Sequence, residues 1–282
     1  MTPPPPPRGP AREGLPALYG SEYFAALARW HDLSQATFAE FLQRAVDGAP
    51  VGRAIDLGCG TGAWGAPLAA LAERVDACDG AAPALAAARR TGHYRRLFQL
   101  DLAAATAGDL DPPYDLVFST EVIEHLADES GFCRLCRDLL RPGGQLVLTT
   151  TAYHFYLAYW LVYAPRLSWR ALGDYLAGLA RDAPADRFVR SLWTLTGGHQ
   201  HGFRAGRLLA ALAASGLAVE GWEYANVQPV VPVAGLAEGR FAAGAGRRLA
   251  PWLARLGGRV NAWCASTGRY GANLMVAARR PG

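Results

Sequence analysis

The sequence predicts an α/β fold in which helices cover both faces of a mostly parallel sheet. Short apolar segments alternate with helical patterns between about residues 50 and 225. A glycine-rich turn follows the first predicted strand, where open α/β folds bind their ligands. With 282 residues, 51% of them hydrophobic, the chain is long enough to bury the core that such a sheet needs.

The alternation defines seven strands and five regular helices. The predicted strands are Arg53–Leu57, Arg74–Asp79, Arg96–Leu100, Tyr114–Ser119, Gln145–Thr150, Leu217–Glu223 and Tyr270–Ala277. The predicted helices are Ser21–Val46, Ala63–Ala72, Ala82–Arg90, Glu129–Leu140 and Arg204–Ser215. Arg141-Pro-Gly-Gly144 ends the fourth of these helices, because proline and glycine do not continue a helix.

Three segments fall outside this alternation. Residues 1–14 are predicted to be a disordered Pro-rich tail, and residues 15–282 a single domain. Two insertions, at about 153–202 and 226–266, are too long to be simple connections, so we expect helical segments that form a cap. The first insertion is rich in aromatic residues, and a hydrophobic helical face that packs as a lid explains most of them. The functional interpretation is an apolar or aromatic acceptor pocket.

Composition excludes several classes of function. The formal charge of +4 is spread along the chain and forms no basic block, so no nucleic-acid partner is expected. Every basic residue apart from the histidines is arginine, which excludes Schiff-base chemistry by lysine. The odd number of cysteines, five, and the absence of a hydrophobic leader after Met1 predict a reducing, cytoplasmic location. Cys133 and Cys136 have no second cysteine pair, so a structural role is expected rather than a zinc site.

The glycine-rich turn spans Asp56–Gly62 (DLGCGTG). Glycines let the backbone bend sharply and approach a ligand closely. Gly58, Gly60 and Ala63 also satisfy the G-x-G-x-x-A pattern, so a nicotinamide-dependent oxidoreductase is an alternative. Asp56 disfavours it, because a carboxylate at the strand end would repel a pyrophosphate and attract a cationic group.

Two further acids end the next strands. Asp79 ends the second strand, where it can accept hydrogen bonds from ribose hydroxyls. Asp101 ends the third, where it can accept from an adenine amino group while the Leu102 amide donates to the ring. Acids at three successive strand ends match S-adenosylmethionine, a nucleoside that carries positive charge, better than NAD.

This ordered set resembles the motifs of class I S-adenosylmethionine-dependent methyltransferases. The segments Tyr114–Leu126 (YDLVFSTEVIEHL) and Leu140–Leu148 (LRPGGQLVL) match later motifs of the family, with similarity to its ubiquinone-pathway O-methyltransferase branch. The resemblance implies a Rossmann-like seven-stranded sheet whose last strand is antiparallel, and S-adenosyl-L-methionine as the cofactor. The residues implied for cofactor binding are Asp56, Gly58, Cys59, Gly60, Asp79, Gly80, Asp101, Leu102 and Glu121.

Glu121, Glu124 and His125 form E-x-x-E-H, and three interpretations are open. They make helix-start and packing contacts, or His125 acts as a general base or orients the acceptor. In the third, they bind a divalent metal together with a distant histidine, His201, which is similar to metal-dependent RNA 3′-terminal 2′-O-methyltransferases. We expect the three residues to share one helical face.

His201 lies with His199 in the loop Gly197–Phe203 (GGHQHGF), at the carboxyl edge of the predicted sheet. An exposed helix-entry turn is the alternative to a catalytic loop. The interpretation adopted takes His125 and His201 as the catalytic residues and assigns no metal ligand.

The expected activity is methyl transfer to a small apolar or aromatic acceptor, or a lipid-linked one, at an oxygen. The alternatives are a metal-assisted O-methyltransferase and a non-catalytic S-adenosylmethionine-binding protein. Peripheral contact with an anionic membrane is a further hypothesis, because the second insertion combines apolar residues with a set of arginines. These are Arg240, Arg247, Arg248, Arg255 and Arg259.

Overall fold

The computed structural model describes residues 35–46, 48, 50–156, 169–192, 198–225, 245–268 and 270–282. The Pro-rich tail predicted at 1–14 and the first part of the predicted helix Ser21–Val46 lie outside the described residues. The rest of that helix is confirmed, because residues 35–46 are helical (α1). Parts of both predicted insertions also lie outside the described residues.

Seven strands form one sheet, as the family resemblance implied. They are β1 (Val51–Leu57), β2 (Ala72–Asp79), β3 (Arg96–Gln99), β4 (Tyr114–Thr120), β5 (Leu140–Thr151), β6 (Ala218–Ala225) and β7 (Asn273–Arg279). Their order across the sheet is β3-β2-β1-β4-β5-β7-β6. Neighbouring strands are parallel except for β7, which runs antiparallel to both β5 and β6.

Helices cover both faces of this sheet. Those after α1 are α2 (Gly65–Ala69), α3 (Ala82–Thr91), α4 (Glu129–Leu139), α5 (Trp169–Gly178), α6 (Asp182–Arg190), α7 (Ala205–Ala214) and α8 (Ala245–Thr267). Successive strand residues point to opposite faces, so neighbours enter different cores. Ile55 and Val117 pack with α4 and α7, whereas Ala54 and Leu116 pack with α1.

The two elements whose lengths differ most from the predictions are α2 and β5. Helix α2 is only five residues long instead of spanning Ala63–Ala72, because Ala72 already pairs with Val51 as the first residue of β2. The fifth strand begins earlier than predicted, at Leu140. A bulge between β4 and β5 lets Leu140 pair with Tyr114 before the regular register begins.

Helix α4 carries the C-x-x-C pair on its buried side. The Asp128 carboxylate caps the helix by accepting a hydrogen bond from the Gly131 amide at 2.8 Å. Cys133 and Cys136 are buried in the apolar core, and both thiols are free. Burial raises the pKa of Cys133 to about 12, so this thiol stays neutral and packs as a small apolar group.

The described part of the first insertion forms a small helical cap, as predicted. Helices α5 and α6 pack against each other and, with Tyr153 and Tyr156, enclose an apolar cluster. The ring of Tyr153 stacks on that of Tyr175 at 5.2 Å, and its hydroxyl donates to the Tyr175 carbonyl at 3.0 Å. An ion pair between Asp186 of α6 and Arg207 of α7 ties the cap to the helices that cover the sheet.

Candidate active site

The candidate site lies at the carboxyl ends of β1, β2 and β4. Strand β1 stands between β2 and β4, so chain connections leave the sheet in opposite directions there and open a crevice. The glycine-rich turn follows β1, Asp79 ends β2, and the E-x-x-E-H segment follows β4. The fold therefore brings most of the predicted site residues to one edge of the sheet.

The turn after β1 requires glycine for a close contact. Gly58 has a φ of 77°, and a Cβ at this position would lie 2.4 Å from Cγ2 of Val122. The amides of Gly58 and Cys59 both donate to the carbonyl of Cys78, at 2.9 and 3.0 Å. Burial raises the pKa of the Cys59 thiol, which therefore stays neutral. The turn is thus held against the ends of both neighbouring strands.

Asp79 fixes the same turn from the side of β2. Its carboxylate accepts a hydrogen bond from the Gly60 amide at 2.9 Å and another from the Ala81 amide at 2.8 Å. Burial raises the pKa of Asp79, and the two amides partly offset that effect. Gly80 follows, and a Cβ at this position would make only an ordinary van der Waals contact, 3.5 Å from the Leu100 carbonyl. Each carboxylate oxygen keeps a lone pair free for a further donor.

Asp56 is buried with only half of its carboxylate satisfied. Its Oδ2 accepts a hydrogen bond from the Tyr94 hydroxyl at 2.7 Å. Its Oδ1 has no hydrogen-bond partner among the described residues, although the side chain is fully buried. Burial raises the pKa of Asp56 to about 7, and the nearby charge of Asp79 adds to the increase. A buried acceptor without a partner costs free energy unless a ligand supplies a donor.

The third predicted acid lies farther along the sheet edge. Asp101 follows β3, is exposed, and accepts a hydrogen bond from the Ala103 amide at 2.9 Å. Leu102 is partly buried against the apolar core. The Leu100 amide donates to the Asp79 carbonyl at 3.1 Å, so this loop starts directly beside the end of β2. A role for Asp101 and Leu102 in adenine binding stays a prediction.

Glu121 lies directly after β4 in a strained backbone conformation. Its φ of 52° is in the left-handed region, which glutamate rarely adopts. The Glu121 amide donates to the Thr149 carbonyl at 3.0 Å, and its carboxylate accepts from the hydroxyls of Thr149 and Thr151 at 3.1 and 2.6 Å. Such strain persists where several bonds fix the residue, and it is common at functional sites.

Glu124 is fully buried next to Glu121. It accepts a hydrogen bond from the Thr150 hydroxyl at 2.8 Å and one from the Thr151 amide at 3.3 Å. Burial raises the pKa of both glutamates, and the charge of Glu124 raises that of Glu121 further. Two full negative charges are therefore disfavoured at this carboxyl pair.

Two histidine rings meet beside this carboxyl pair. The centroids of His125 and His199 are 4.5 Å apart, with their planes at 88°. The Tyr156 hydroxyl lies 2.7 Å from Nδ1 of His199. Burial lowers the pKa of His199 well below its usual value, and the proximity of His125 lowers it further. Single donor atoms of Glu124, His125 and His199 all lie within 4.8 Å of one another.

The local geometry differs from the helical face that the sequence predicted for Glu121, Glu124 and His125. Only Ile123–His125 form a 3₁₀ turn, and Glu121 precedes it in its left-handed conformation. The three side chains still point to a common region. The threonines at the end of β5 hold the two carboxyls there, rather than a helical repeat.

The structure brings His199 to the E-x-x-E-H segment, whereas the sequence interpretation used His201. His201 is buried, with Nδ1 3.0 Å from the Arg207 guanidinium and 3.1 Å from the Asp186 carboxylate. Its Nε2 lies 3.3 Å from the Ala127 carbonyl. These contacts place the His201 ring in a polar cluster between the cap and α7, and the loop conformation leaves His199 facing the site.

Sequence reasoning missed several residues of this site. Tyr94 comes from the loop before β3, and no local pattern indicates that its hydroxyl reaches Asp56. Tyr156 lies in an aromatic stretch of the kind that usually packs in a core, so the sequence did not indicate its contact with His199 either. The run Thr149–Thr151 did carry a signal, because hydroxyls at the end of β5 must lie beside the residues that follow β4.

Comparison with known proteins connects this geometry to a family. Residues 55–146 match a family model described as a methyltransferase domain. A ubiquinone biosynthesis O-methyltransferase of Methylocella silvestris is 38% identical over 101 residues, which make up 35% of this chain and 39% of that protein. The protein of the same name from Cereibacter sphaeroides is 37% identical over 105 residues, which make up 35% of this chain and 40% of that protein. The chain therefore matches about two fifths of the length of these relatives.

Solved structures match a larger part of the chain. An S-adenosylmethionine-dependent methyltransferase from Mesorhizobium loti aligns with 88% of this chain and 98% of its own, with a TM-score of 0.53 and 24% identity. An N-methyltransferase from Bradyrhizobium japonicum, in complex with S-adenosyl-L-homocysteine, aligns with 94% and 95%, with a TM-score of 0.54 and 16% identity. At these identities the likeness concerns the fold alone.

Proposed function

We propose that this chain, which carries a class I S-adenosylmethionine-dependent methyltransferase domain, transfers a methyl group to an oxygen of a small apolar or aromatic acceptor. One observation carries the proposal. The buried Asp56, one of whose carboxylate oxygens has no hydrogen-bond partner among the described residues, lies beside the glycine-rich turn. The same edge of the sheet carries the rings of His125 and His199, next to the carboxyls of Glu121 and Glu124. The relatives from Methylocella silvestris and Cereibacter sphaeroides are named O-methyltransferases, which supports oxygen as the atom that accepts the methyl group.

The residues at this edge fit the proposed cofactor. Oδ1 of Asp56, which no donor contacts in the part of the chain that the structure describes, can accept a hydrogen bond from a cationic ammonium group. Such a bond would stabilise the ionised carboxylate. Asp79 has free lone pairs for ribose hydroxyls, and Asp101 with Leu102 would contact the adenine. When bound, S-adenosylmethionine supplies a methyl group that its sulfonium centre already activates.

The chain itself must remove the proton that an acceptor hydroxyl loses when it is methylated. His125 is the proposed general base, and its ring nitrogen would take that proton. His199 would orient the acceptor in place of His201, because the hydroxyl of Tyr156 holds its ring and its low pKa keeps it neutral. The raised pKa values of Glu121 and Glu124 limit the negative charge that the site must bury.

Tyr156 also connects the site to the cap. Its ring belongs to the apolar cluster with Tyr153, Tyr175 and Phe188, while its hydroxyl contacts His199. An acceptor that reached the histidine pair would therefore meet aromatic surface on the cap side. This arrangement supports an apolar or aromatic acceptor over a strongly charged one.

Mass spectrometry of extracts tests the proposal directly. Purified protein is incubated with S-adenosylmethionine carrying a deuterated methyl group, together with polar and lipid extracts of cells. We expect at least one new species that is heavier by one deuteromethyl group and absent with heat-inactivated protein. Binding of S-adenosylhomocysteine without any labelled product in either extract would instead favour a non-catalytic cofactor-binding protein.

A second candidate function is metal-assisted O-methylation, which the grouping of Glu124, His125 and His199 favours. Two imidazole nitrogens and one carboxylate oxygen form a donor set that suits divalent zinc, iron or manganese. A bound cation would lower the pKa of an acceptor hydroxyl, so that no histidine would be needed as a base.

Metal analysis separates the two candidates. If a metal is used, purified protein should contain close to one equivalent of a divalent ion, and Glu124→Gln should lower that content at least tenfold, the effect expected when a ligand is lost. Chelation should then abolish label transfer, and the divalent ion should restore it. Metal-free protein that retains full transfer activity would eliminate this candidate and leave His125 as the base.

A further inference from the structure

Helix α8 exposes a continuous row of large apolar side chains, which we call the α8 stripe. The spacings of three and four residues along the row place its members on one side of the helix. Each of them is between 36% and 59% exposed. The members are Leu249, Trp252, Leu256, Val260 and Trp263.

The neighbouring side of α8 packs against the protein and leaves the stripe free. Gly257 and Cys264 are buried there, about two turns apart along the same side of the helix. The exposed ring of Trp263 stacks on Tyr270 at 5.4 Å, which extends the apolar surface beyond the end of the helix. An exposed row of this length on a soluble domain is unusual and marks a contact surface.

The charges on α8 identify what this surface contacts. Arg248, Arg255 and Arg259 are exposed and lie along one edge of the stripe, whereas the helix contains no Asp or Glu. Arg240 lies outside the described residues, as does the side chain of Arg247. A second copy of the helix would bring the same arginines without any acidic partner. An anionic lipid surface instead complements both the arginines and the apolar row.

We propose that the α8 stripe docks onto the surface of a bilayer that contains anionic lipids. None of the helices within the described ranges is long and apolar enough to cross a bilayer, so contact would be peripheral. Tryptophans near both ends of the row suit the headgroup region, where amphipathic rings concentrate. The arginines would lie beside lipid phosphates while the row enters the boundary of the acyl chains.

Ring contacts link this surface to the cap. The Tyr270 ring lies 5.3 Å from that of His154, which in turn lies 6.4 Å from the ring of Tyr153 in the cap cluster. Docking would therefore hold the cap close to the bilayer. A lipid-linked acceptor could then reach the site from the membrane, an extension that rests on the proposed function, whereas the docking itself does not.

Vesicle flotation of the full chain tests the docking without any activity measurement. We expect co-flotation with vesicles of phosphatidylcholine mixed with phosphatidylglycerol, and roughly tenfold less with phosphatidylcholine alone. Replacing both tryptophans of the stripe, Trp252→Ser with Trp263→Ser, should reduce binding at least tenfold. Replacing Arg248, Arg255 and Arg259 by Gln should also reduce it at least tenfold and should remove its dependence on salt.

Trp169→Ser is the matched control, because Trp169 is exposed but belongs to α5 and not to the stripe. It should float like the unmodified protein, and all variants should keep the same melting temperature. No co-flotation with either vesicle, or unchanged flotation of the double tryptophan variant, would overturn the proposal. The proposal would also be overturned if light scattering showed a dimer that the double tryptophan variant does not form, and if the protein bound no vesicles. In that case a second copy of the chain would cover the stripe.

Discussion

Asp56→Asn is expected to weaken the binding of S-adenosylhomocysteine by roughly tenfold to hundredfold at pH 8, the scale of a lost charged hydrogen bond. In the proposed site, Oδ1 of the ionised Asp56, which has no hydrogen-bond partner among the described residues, would bind the ammonium group of the ligand. Asn keeps the shape of the side chain and can still accept from Tyr94, but it carries no charge. Isothermal titration calorimetry of both proteins gives the comparison.

The pH dependence of the same binding gives a sharper test. Because the pKa of Asp56 in the folded protein is about 7, ligand binding below pH 7 must first ionise this carboxyl. Affinity should therefore rise about tenfold between pH 6 and pH 8 in the unmodified protein and stay flat in the variant. Calorimetry in buffers with different ionisation enthalpies should also detect release of a proton at pH 6 but not at pH 8.

Stability should respond with the opposite sign to affinity. The folded protein holds a proton on Asp56 between about pH 4 and pH 7 that the unfolded chain releases, so its free energy of unfolding falls as pH rises through this window. Asn resembles the protonated acid, so the variant should melt no lower than the unmodified protein at pH 8. Asp138→Asn, on the exposed side of α4, serves as the charge-matched control for both measurements. A variant that bound normally, or kept the pH dependence, would remove Asp56 from the site.

The sheet was predictable because each strand carries its signal locally. The segment Tyr114–Thr120 has the continuous apolar centre Leu116–Phe118, which is typical of a strand buried on both faces, and glycine or proline marks the ends of several other strands. The antiparallel last strand was different. Nothing in the composition of Asn273–Arg279 fixes its direction, and only the resemblance to a family supplied it.

The residues of the candidate site were likewise only partly predictable from the sequence. Asp56 and Asp79 could be found because parallel strands end at one edge, so acids that end successive strands must lie together. The partner of His125 could not be found in this way. His199 and His201 lie two residues apart in one loop. Which of them faces His125 depends on an arginine in α7. Arg207 contacts the ring of His201, which leaves His199 to face the site.

His125→Gln is expected to lower the initial rate of methyl transfer by about 10²–10⁴-fold, the usual contribution of a positioned general base. Glutamine approximates the size and hydrogen bonding of one face of the imidazole but cannot take a proton. The affinity for S-adenosylhomocysteine should change less than threefold, because the proposed cofactor-binding residues are Asp56 and Asp79 on neighbouring strands rather than His125. The rate is measured as S-adenosylhomocysteine release with the acceptor that the extract experiment identifies.

The shape of the pH–rate profile distinguishes a base from a packing residue. Loss of a base should remove the decline in rate at acidic pH, whereas a packing defect would lower the whole profile without changing its shape. His93→Gln is the matched control, because His93 is exposed in the loop after α3 and its replacement should leave rate and profile unchanged.

Tyr156→Phe should lower the rate by less than His125→Gln does, since it frees the His199 ring without removing either imidazole. If His125→Gln kept the acidic decline while Glu124→Gln abolished transfer, the proton would be handled by a metal-bound acceptor rather than by the histidine.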